Sequence, residues 1–414
     1  MAPVAVIADD LTGAADTGVQ FCRPGAPVLL TDHVPARRAA AGLALYTRTR
    51  GADEAAARRK LAAAGGALAA LRPDLVYKKI DSCLRGNIGA ETEALLTVLD
   101  MEASFIAPAF PAMGRTTVDD IHRVNGVPVA QTEIARDPVT PVTDARLSRN
   151  VRRQARLPVA HVGLPLLESS WEKLAHHVAA LLAQGVRHLV FDAAERHHLD
   201  TVARLVRVPG RRILPVGSAG LAASLARRAD GGKAPPPAIG RLTGPALVVC
   251  GSAAARSHRQ IDVLARERGW RVITISPRRL ADRRRRERLT QRAAEALAGG
   301  HLAVRVAPPG PGDRVGRRSP HELCGQLAAT AAAVMRAVRP GGLLATGGDT
   351  ADALFREMGV EGMRLRGEVL AGLAAGELAG GDFDGLAAVT KAGAFGGDGV
   401  LRDLFRHWCG RPPA

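Results

Sequence analysis

"VAVIADDLTGAADTG", Val4 to Gly18, opens as an apolar, β-branched run, stops at two adjacent aspartates and continues in small residues. The run reads as a buried parallel strand, and Thr12-Gly13 beyond it as the head of a helix. Adjacent carboxylates repel each other and are costly to desolvate. Asp9-Asp10 at the end of a buried strand is therefore either a capping turn with a spare surface carboxylate or part of a reaction centre. A helix N-terminus, with free N–H groups and the positive end of a dipole, suits an anion.

Outward from this stretch the alternation repeats. Apolar runs at Leu43–Thr47, Leu75–Lys79, Ser104–Ala107, Val159–Val162, His188–Asp192 and Ile213–Val216 read as strands. Helical patterns lie between them at Asp53–Leu71, Ile88–Leu99, Trp171–Gln184 and Gly220–Arg228, the signature of parallel α/β layers. "ADGGKAPPPAIG" (Ala229–Gly240) then interrupts with glycines and three consecutive prolines, a linker by composition. A second series follows, with strands Ala246–Cys250, Arg271–Ile275, Ala303–Val306 and Leu343–Thr346 and helices Ala255–Arg268 and Pro320–Val338. It also carries a surface loop at Ala307–Ser319 and a glycine-rich finish. The expected fold is α/β: two α/β domains with mainly parallel sheets, residues 1–232 and 244–414, joined by a linker at 233–243. Ligands of open α/β sheets sit at the carboxyl ends of strands, so the expected active site is the cleft between the domains.

Composition narrows the function classes. No apolar run in the 414 residues reaches the ~18 needed to span a membrane. The opening run carries neither a basic region nor a cleavage site. Five scattered cysteines form no CxxC pair or disulfide framework, and the expectation is a reduced, cytoplasmic protein. The net charge of +17 invites a nucleic-acid partner, yet aromatic content is 3% and no segment interleaves bases with stacking residues. "RRLADRRRRERL" (Arg278–Leu289) reads as one solvated helix face. The expectation is no nucleic acid and no membrane, with the charge attracting small anions. His176-His177 and His197-His198 lie in helical patterns without metal-ligand spacing, so no metal site is expected from them.

One more segment in the first half repeats the strand–polar turn–helix design, and another, too rich in proline and glycine for regular structure, does not. "YKKIDSCLRGNIGAE" (Tyr77–Glu91) ends a strand with Lys79, Asp81, Ser82 and Arg85, the cations and hydroxyl partners that a polyhydroxy carboxylate requires. "APAFPAMGRTTVDDIHRVNGVPVAQTEIARDP" (Ala107–Pro138) offers Arg115 and an Asn-Gly hairpin turn. In the second half "VVCGSAAARSHRQI", "LLATGGDTADAL" and "AVTKAGAFGGDG" are strand–glycine turn–helix units. Three such turns on one edge would cradle phosphates with backbone N–H groups. Neither GxxxxGK[ST] nor a helix-opening GxGxxG occurs, which argues against a P-loop NTPase and a dinucleotide enzyme.

With "IADDLTGAADTG", "KKIDSCLRGNIGAE", "APAFPAMGRTT", "NGVPVAQTEIARDPVTP", "CGSAAARSHRQI", "GGDTADAL" and "TKAGAFG" in this order, the chain resembles the four-carbon acid sugar kinases along nearly its whole length. The resemblance implies a substrate-binding N-terminal domain, a nucleotide-binding C-terminal domain, and ATP and Mg2+ as cofactors. It implies phosphorylation of a terminal hydroxyl of D-threonate, D-erythronate or 3-oxo-tetronate. By position, Asp10, Arg50, Lys79, Asp81, Ser82 and Arg85 would surround the acid, with Asp9 and Arg115 beside them. Ser252, Gly347, Gly348, Asp349, Thr350, Lys391 and Gly393 would surround ATP. A homodimer fits this reading. Tyr46, Cys83 and Asp120 depart from the family pattern, standing for aspartate, threonine and glycine. The form of "KKIDSCLRGNIGAE" is closer to the threonate/erythronate branch than to the 3-oxo-tetronate branch.

The expected chemistry is in-line attack of a substrate hydroxyl on the γ-phosphorus of ATP, with Asp10 as first choice of base and Asp349 as second. Lys391 and the turn N–H groups would stabilise the equatorial oxygens. A side chain at Gly348 would push the phosphates away from the turn's N–H groups and resist any positive φ. The rival readings are a nicotinamide-dependent oxidoreductase and a non-catalytic basic sensor or nucleic-acid binder.

Overall fold

The structure, a computed structural model, describes residues 4–35, 41–229, 240–252, 254–307, 320–393 and 395–410. Residues 233–239 of the expected linker and 308–319 of the expected loop lie outside this set. In chain order the strands are β1 (Val4–Ala8), β2 (Val28–Thr31), β3 (Gly42–Tyr46), β4 (Leu75–Lys79), β5 (Ala103–Ala107), β6 (Arg115–Val118), β7 (Ile121–Val124), β8 (Val127–Pro128) and β9 (Val159–Val162). They continue as β10 (His188–Phe191), β11 (Ile213–Gly217), β12 (Ala246–Cys250), β13 (Trp270–Ile275), β14 (His301–Val306), β15 (Gly342–Thr346), β16 (Gly362–Leu370), β17 (Leu373–Ala379) and β18 (Ala387–Lys391). Two compact units form, Met1–Phe21 with Thr31–Pro235, and Cys22–Leu30 with Pro236–Ala414.

The first unit is built on parallel strands in the order β3-β1-β4-β11-β5-β10-β9. β1 lies inside this sheet with Val6, Ile7 and Ala8 wholly buried, which is why its sequence is a continuous apolar run rather than an alternation. Helices Leu11–Gly18, Glu54–Ala70 and Ile88–Val98 follow β1, β3 and β4. Each is entered from the carboxyl end of a strand, so the polar residues ending β1, β3 and β4 come together.

A small antiparallel sheet, β6-β7-β8, stands apart. Asn125-Gly126 make its β7–β8 turn, at φ 51° and 83°, as the sequence predicts. The β6–β7 turn uses Asp119 and Asp120 at φ 54° and 65°, where glycine would be free of strain. The Asp192 carboxylate accepts both turn N–H groups, at 2.8 and 3.1 Å. Asp120 in turn accepts from the Ser148 N–H at 2.7 Å and Oγ at 2.6 Å. The Asp120 departure is thereby compensated locally.

The second unit runs parallel in the order β13-β14-β12-β15-β18 and turns antiparallel through β17, β16 and β2. Its core gathers Val248, Ile261, Leu344, Val389, Leu404, Phe405 and Trp408. The β16–β17 pair has no counterpart in the sequence reading, because glycines break its apolar pattern. Those glycines have a packing reason: a Cβ at Gly362 would strike the Leu30 carbonyl, and one at Gly376 the Arg364 carbonyl. The helix after β12 ends at Leu264 rather than Arg268. The arginine-rich stretch is two helices, Pro277–Ala281 and Arg283–Ala298, because Asp282 caps the second through the Arg285 N–H at 3.0 Å. Arg283, Arg284, Arg285 and Arg288 are exposed, as a solvated face should be. Among the described residues no helix is long and apolar enough to cross a membrane.

Candidate functional site

Asp9 and Asp10 divide the labour. Asp10 caps helix Leu11–Gly18, accepting from the Gly13 N–H at 2.9 Å and the Thr12 Oγ1 at 2.9 Å. Asp9 is 3% exposed. Arg50, beyond β3, serves both: Nε and Nη2 reach Asp9 at 2.8 and 2.9 Å, Nη1 and Nη2 reach Asp10 at 2.9 and 2.8 Å. Burial pushes the Asp9 carboxyl up, but Arg50, helped by Lys78 and Lys79, more than reverses this and holds it below the usual carboxylate range. The same carboxylates keep Arg50 firmly protonated against its own burial.

β4 supplies the next residues. Successive strand residues face opposite sides, so its two lysines part company. Lys78 is wholly buried and pairs with Glu91 of helix Ile88–Val98 at 2.6 Å. Lys79 points the other way: a Cβ on Gly13 would meet both Asp10 Oδ1 and Lys79 Nζ, the latter at 2.9 Å. Only glycine lets the helix head, Asp10 and Lys79 converge there. Among the described residues Lys79 has no carboxylate within ion-pair distance.

Asp81 is committed to Arg85. It accepts from Arg85 Nε at 2.9 Å and Nη2 at 3.1 Å, and from the N–H groups of Cys83 and Arg85 at 3.1 and 3.3 Å. Burial opposes its ionisation, but Arg85 and Arg50 hold it well below the usual range. Arg85 also reaches Asp137 at 3.2 Å, a partner that the sequence reading missed. Ser82 is buried, and its carbonyl faces His122 Nε2 at 2.8 Å, while Nδ1 meets Thr117 Oγ1 at 2.9 Å. Burial lowers the His122 pKa to about 4. Arg115 is buried at the head of β6, donates to the Met113 carbonyl and lies beside the Cys83 thiol, which burial raises above its usual pKa. Asp9, Asp10, Arg50, Lys79, Asp81 and Arg85 thus form one cluster, with Ser82 and Arg115 at its edge.

In the second unit the three glycine turns follow β12, β15 and β18, which are neighbours in the sheet. The Gly251 N–H donates to Thr350 Oγ1 at 3.2 Å, and the Gly347 N–H to the Lys391 carbonyl at 2.9 Å. A Cβ on Gly393 would strike Ser252 Oγ. Ser252, Gly347, Thr350 and Gly393 are therefore contiguous, and Asp349 sits in the first turn of helix Gly348–Glu357. The left-handed residue is Gly347, at φ 99°, and not Gly348, which is already helical.

Lys391 is wholly buried, and its Nζ donates to the carbonyls of Ala392, Gly393 and Phe395 at 2.8, 3.1 and 3.2 Å. Burial lowers its pKa to about 8. Gln260 and Ser257 on helix Ala255–Leu264 bind the same turn. The sequence held a signal for them: Ser257, Gln260, Ile261 and Leu264 share one buried helix face, and a polar residue on an apolar stripe needs a partner.

Glu168, His197 and His198 bring three ligand atoms together. The Glu195 N–H donates to His198 Nδ1 at 3.1 Å, so Nε2 carries the proton and meets Glu168 Oε1 at 3.1 Å. That tautomer is a helix-capping histidine, with no lone pair for a metal on Nε2.

The sugar-binding N-terminal domain family matches residues 4–225, and the nucleotide-binding C-terminal domain family matches 247–401. A D-threonate kinase of Salmonella typhimurium is 34% identical over 98% of this chain and 99% of its own. A D-erythronate kinase of Heliobacterium modesticaldum is 30% identical, covering 96% and 94%. A 3-oxo-tetronate kinase of Cupriavidus necator is 32% identical, covering 97% of each chain. A crystal structure from Salmonella typhimurium LT2 shares the fold at a TM-score of 0.80, with 23% identity over 98% of this chain and 100% of that one.

Proposed function

The chain belongs to the four-carbon acid sugar kinase family, and from that premise we propose that it phosphorylates a terminal hydroxyl of D-threonate or D-erythronate, with 3-oxo-tetronate a poorer substrate. The enzyme is an ATP-dependent phosphotransferase with an alcohol group as acceptor. Lys79 carries the reading of the acid site. It is a point charge without an ion pair among the described residues, beside the head of helix Leu11–Gly18, in a cluster whose arginines are already engaged by carboxylates. An acid's carboxylate is the partner such a lysine lacks. Arg85, aimed by Asp81, and Ser82 address the substrate's other oxygens, and Arg50 is shared with the aspartate pair.

Ser252, Gly347, Gly348, Asp349, Thr350 and Gly393 hold the triphosphate. The substrate hydroxyl forms a new bond to the γ-phosphorus as the bond to the β-phosphate oxygen breaks, and ADP leaves. Catalysis here is mostly positioning and charge stabilisation. The hydroxyl proton passes to a carboxylate. Asp10 is the choice over Asp9 because its side chain is 18% exposed against 4%; one of its Arg50 bonds must be exchanged for the hydroxyl. Asp349 is the alternative. Asp349, in the first turn of the helix after β15, would hold a Mg2+ ion, which would neutralise phosphate charge.

The test is ATP-dependent ADP release with a panel of four-carbon acids under identical ATP and magnesium. D-threonate or D-erythronate should lead. A ketone in place of a paired hydroxyl lowers kcat/KM by roughly 10⁴-fold. A lead for 3-oxo-tetronate would overturn the substrate assignment and direct attention to Cys83 and Tyr46.

A further inference from the structure

We infer that Gln260, acting with Lys391 and Ser257, is a positioning residue for the nucleotide: it draws the carbonyls of the turn after β18 to one side and so presents the turn's N–H groups as a cradle for polyphosphate. The inference rests on the kinase reading and assigns a role to residues behind the turn.

Gln260 is wholly buried, and its Nε2 faces the carbonyls of Phe395, Gly396 and Gly397 at 2.9, 3.2 and 3.1 Å. Ser257 Oγ donates to the Gly393 carbonyl at 2.9 Å. With the three bonds from Lys391, the carbonyls of residues 392, 393, 395, 396 and 397 are all held from behind. Among the described residues there are no cis peptides, and in a trans peptide the C=O of one residue and the N–H of the next point in opposite directions. The N–H groups of Gly393, Gly396, Gly397 and Asp398 therefore point away from these donors. Successive N–H groups converging on one side make an anion nest.

Two details favour a positioning role over ordinary packing. An ammonium has three donors, and Lys391 spends all three on its own turn, so its charge stands behind the cradle rather than on a phosphate. Gln260 leaves its Oε1 buried with no hydrogen-bond partner among the described residues. Its amide is committed to aiming a donor at the turn. Turned over, it would set an acceptor against three carbonyls.

The experiment uses the full chain and two probes, ATP and inorganic triphosphate, titrated calorimetrically, alongside steady-state kinetics with D-threonate. In Gln260→Leu, which removes the donor without changing charge, Kd for both probes and KM for ATP should rise about tenfold or more, the equivalent of one or two hydrogen bonds. KM for the acid should stay within about twofold and kcat within about threefold, since the loss is in nucleotide binding. Ser257→Ala, a smaller change that guards against a folding defect, should raise the same constants about threefold. Unchanged triphosphate affinity in either folded variant, or an equal loss of acid affinity, overturns the inference. Wild-type protein that binds neither probe overturns the kinase reading together with it.

Discussion

At the ends of β1, β3 and β4 the polar groups are side chains of opposite sign: Asp9, Asp10 and Asp81 against Arg50, Lys79 and Arg85. At the ends of β12, β15 and β18 they are mostly backbone groups and hydroxyls, beside Asp349 and the buried Lys391, with glycine where a Cβ would intrude. In the first assembly the arginines and aspartates are paired before any ligand arrives, with Lys79 left for it, so removing a paired member strands a buried charge. The second has no side chain whose loss would empty it of donors. One region should break by subtraction, the other by addition.

Arg50→Ala is the severest subtraction. It strips four hydrogen bonds from Asp9 and Asp10, and breaking a buried pair costs about 3–5 kcal/mol. Urea denaturation should show that loss, and kcat/KM should fall about 10³-fold. Near-native stability would mean that the aspartates are solvated and the cluster misread.

Asp10→Asn is a gentler cut, because asparagine still caps the helix. Loss of a general base lowers kcat about 10²–10⁴-fold while ATP affinity, measured separately, stays put. A near-normal kcat would pass the role to Asp349.

Addition is tested with Gly393→Ala, whose methyl would press on Ser252 Oγ. KM for ATP should rise about tenfold or more, with acid affinity and overall stability nearly unchanged. Equal loss of both affinities would erase the contrast.

A pH titration sharpens it further. The buried His122, at about pKa 4 in the fold, lies below its usual value near 6.5. The unfolded chain therefore binds the proton first, and this part of the stability is present above pH ~6.5 and lost on acidification toward 4. Between pH 7 and 5 about 2 kcal/mol should disappear, and His122→Gln should flatten that slope. Asp9 and Asp81, whose pKa values are lowered, add a further loss below the usual carboxylate range. Replacing exposed Arg284 and Arg288 by glutamine should change stability by less than about 0.5 kcal/mol. A clear drop in acid affinity there would show that the basic surface steers substrate.

The same contrast explains what could be read from the chain. Strand positions and the acid cluster were legible because charge at the end of an apolar run is costly and residue type reports it. Arg85's bond to Asp137 was not, since the two lie 52 residues apart and nothing local links them. In the nucleotide half the glycines mark the turns, but the hydrogen bonds that Lys391 makes are not legible in the sequence. A lysine beside glycines suggests a phosphate ligand, and only coordinates show its three protons spent on carbonyls. Which residue takes the positive φ is not legible either, because "GGDT" offers two glycines and the sequence does not say which makes the turn. The β16–β17 pair was hidden by glycines whose purpose is close backbone approach.

β2 has a consequence for how this protein is made. Cys22–Leu30 emerges early in synthesis yet folds with the later unit, pairing with β16 and joined to it through Cys22 Sγ and the Leu365 carbonyl across 343 residues. At ~5–20 residues per second, the ribosome needs roughly 17 to 70 s to deliver that partner. For that interval the edge of this short apolar strand that meets β16 stays open, a ready template for wrong pairing. Nor can the gene be cut at the proline-rich stretch without cost. A piece ending there leaves the β16-facing edge of β2 open, and the complementary piece exposes β16 as a sticky edge, so co-expressed halves should recover a soluble protein where separate halves do not.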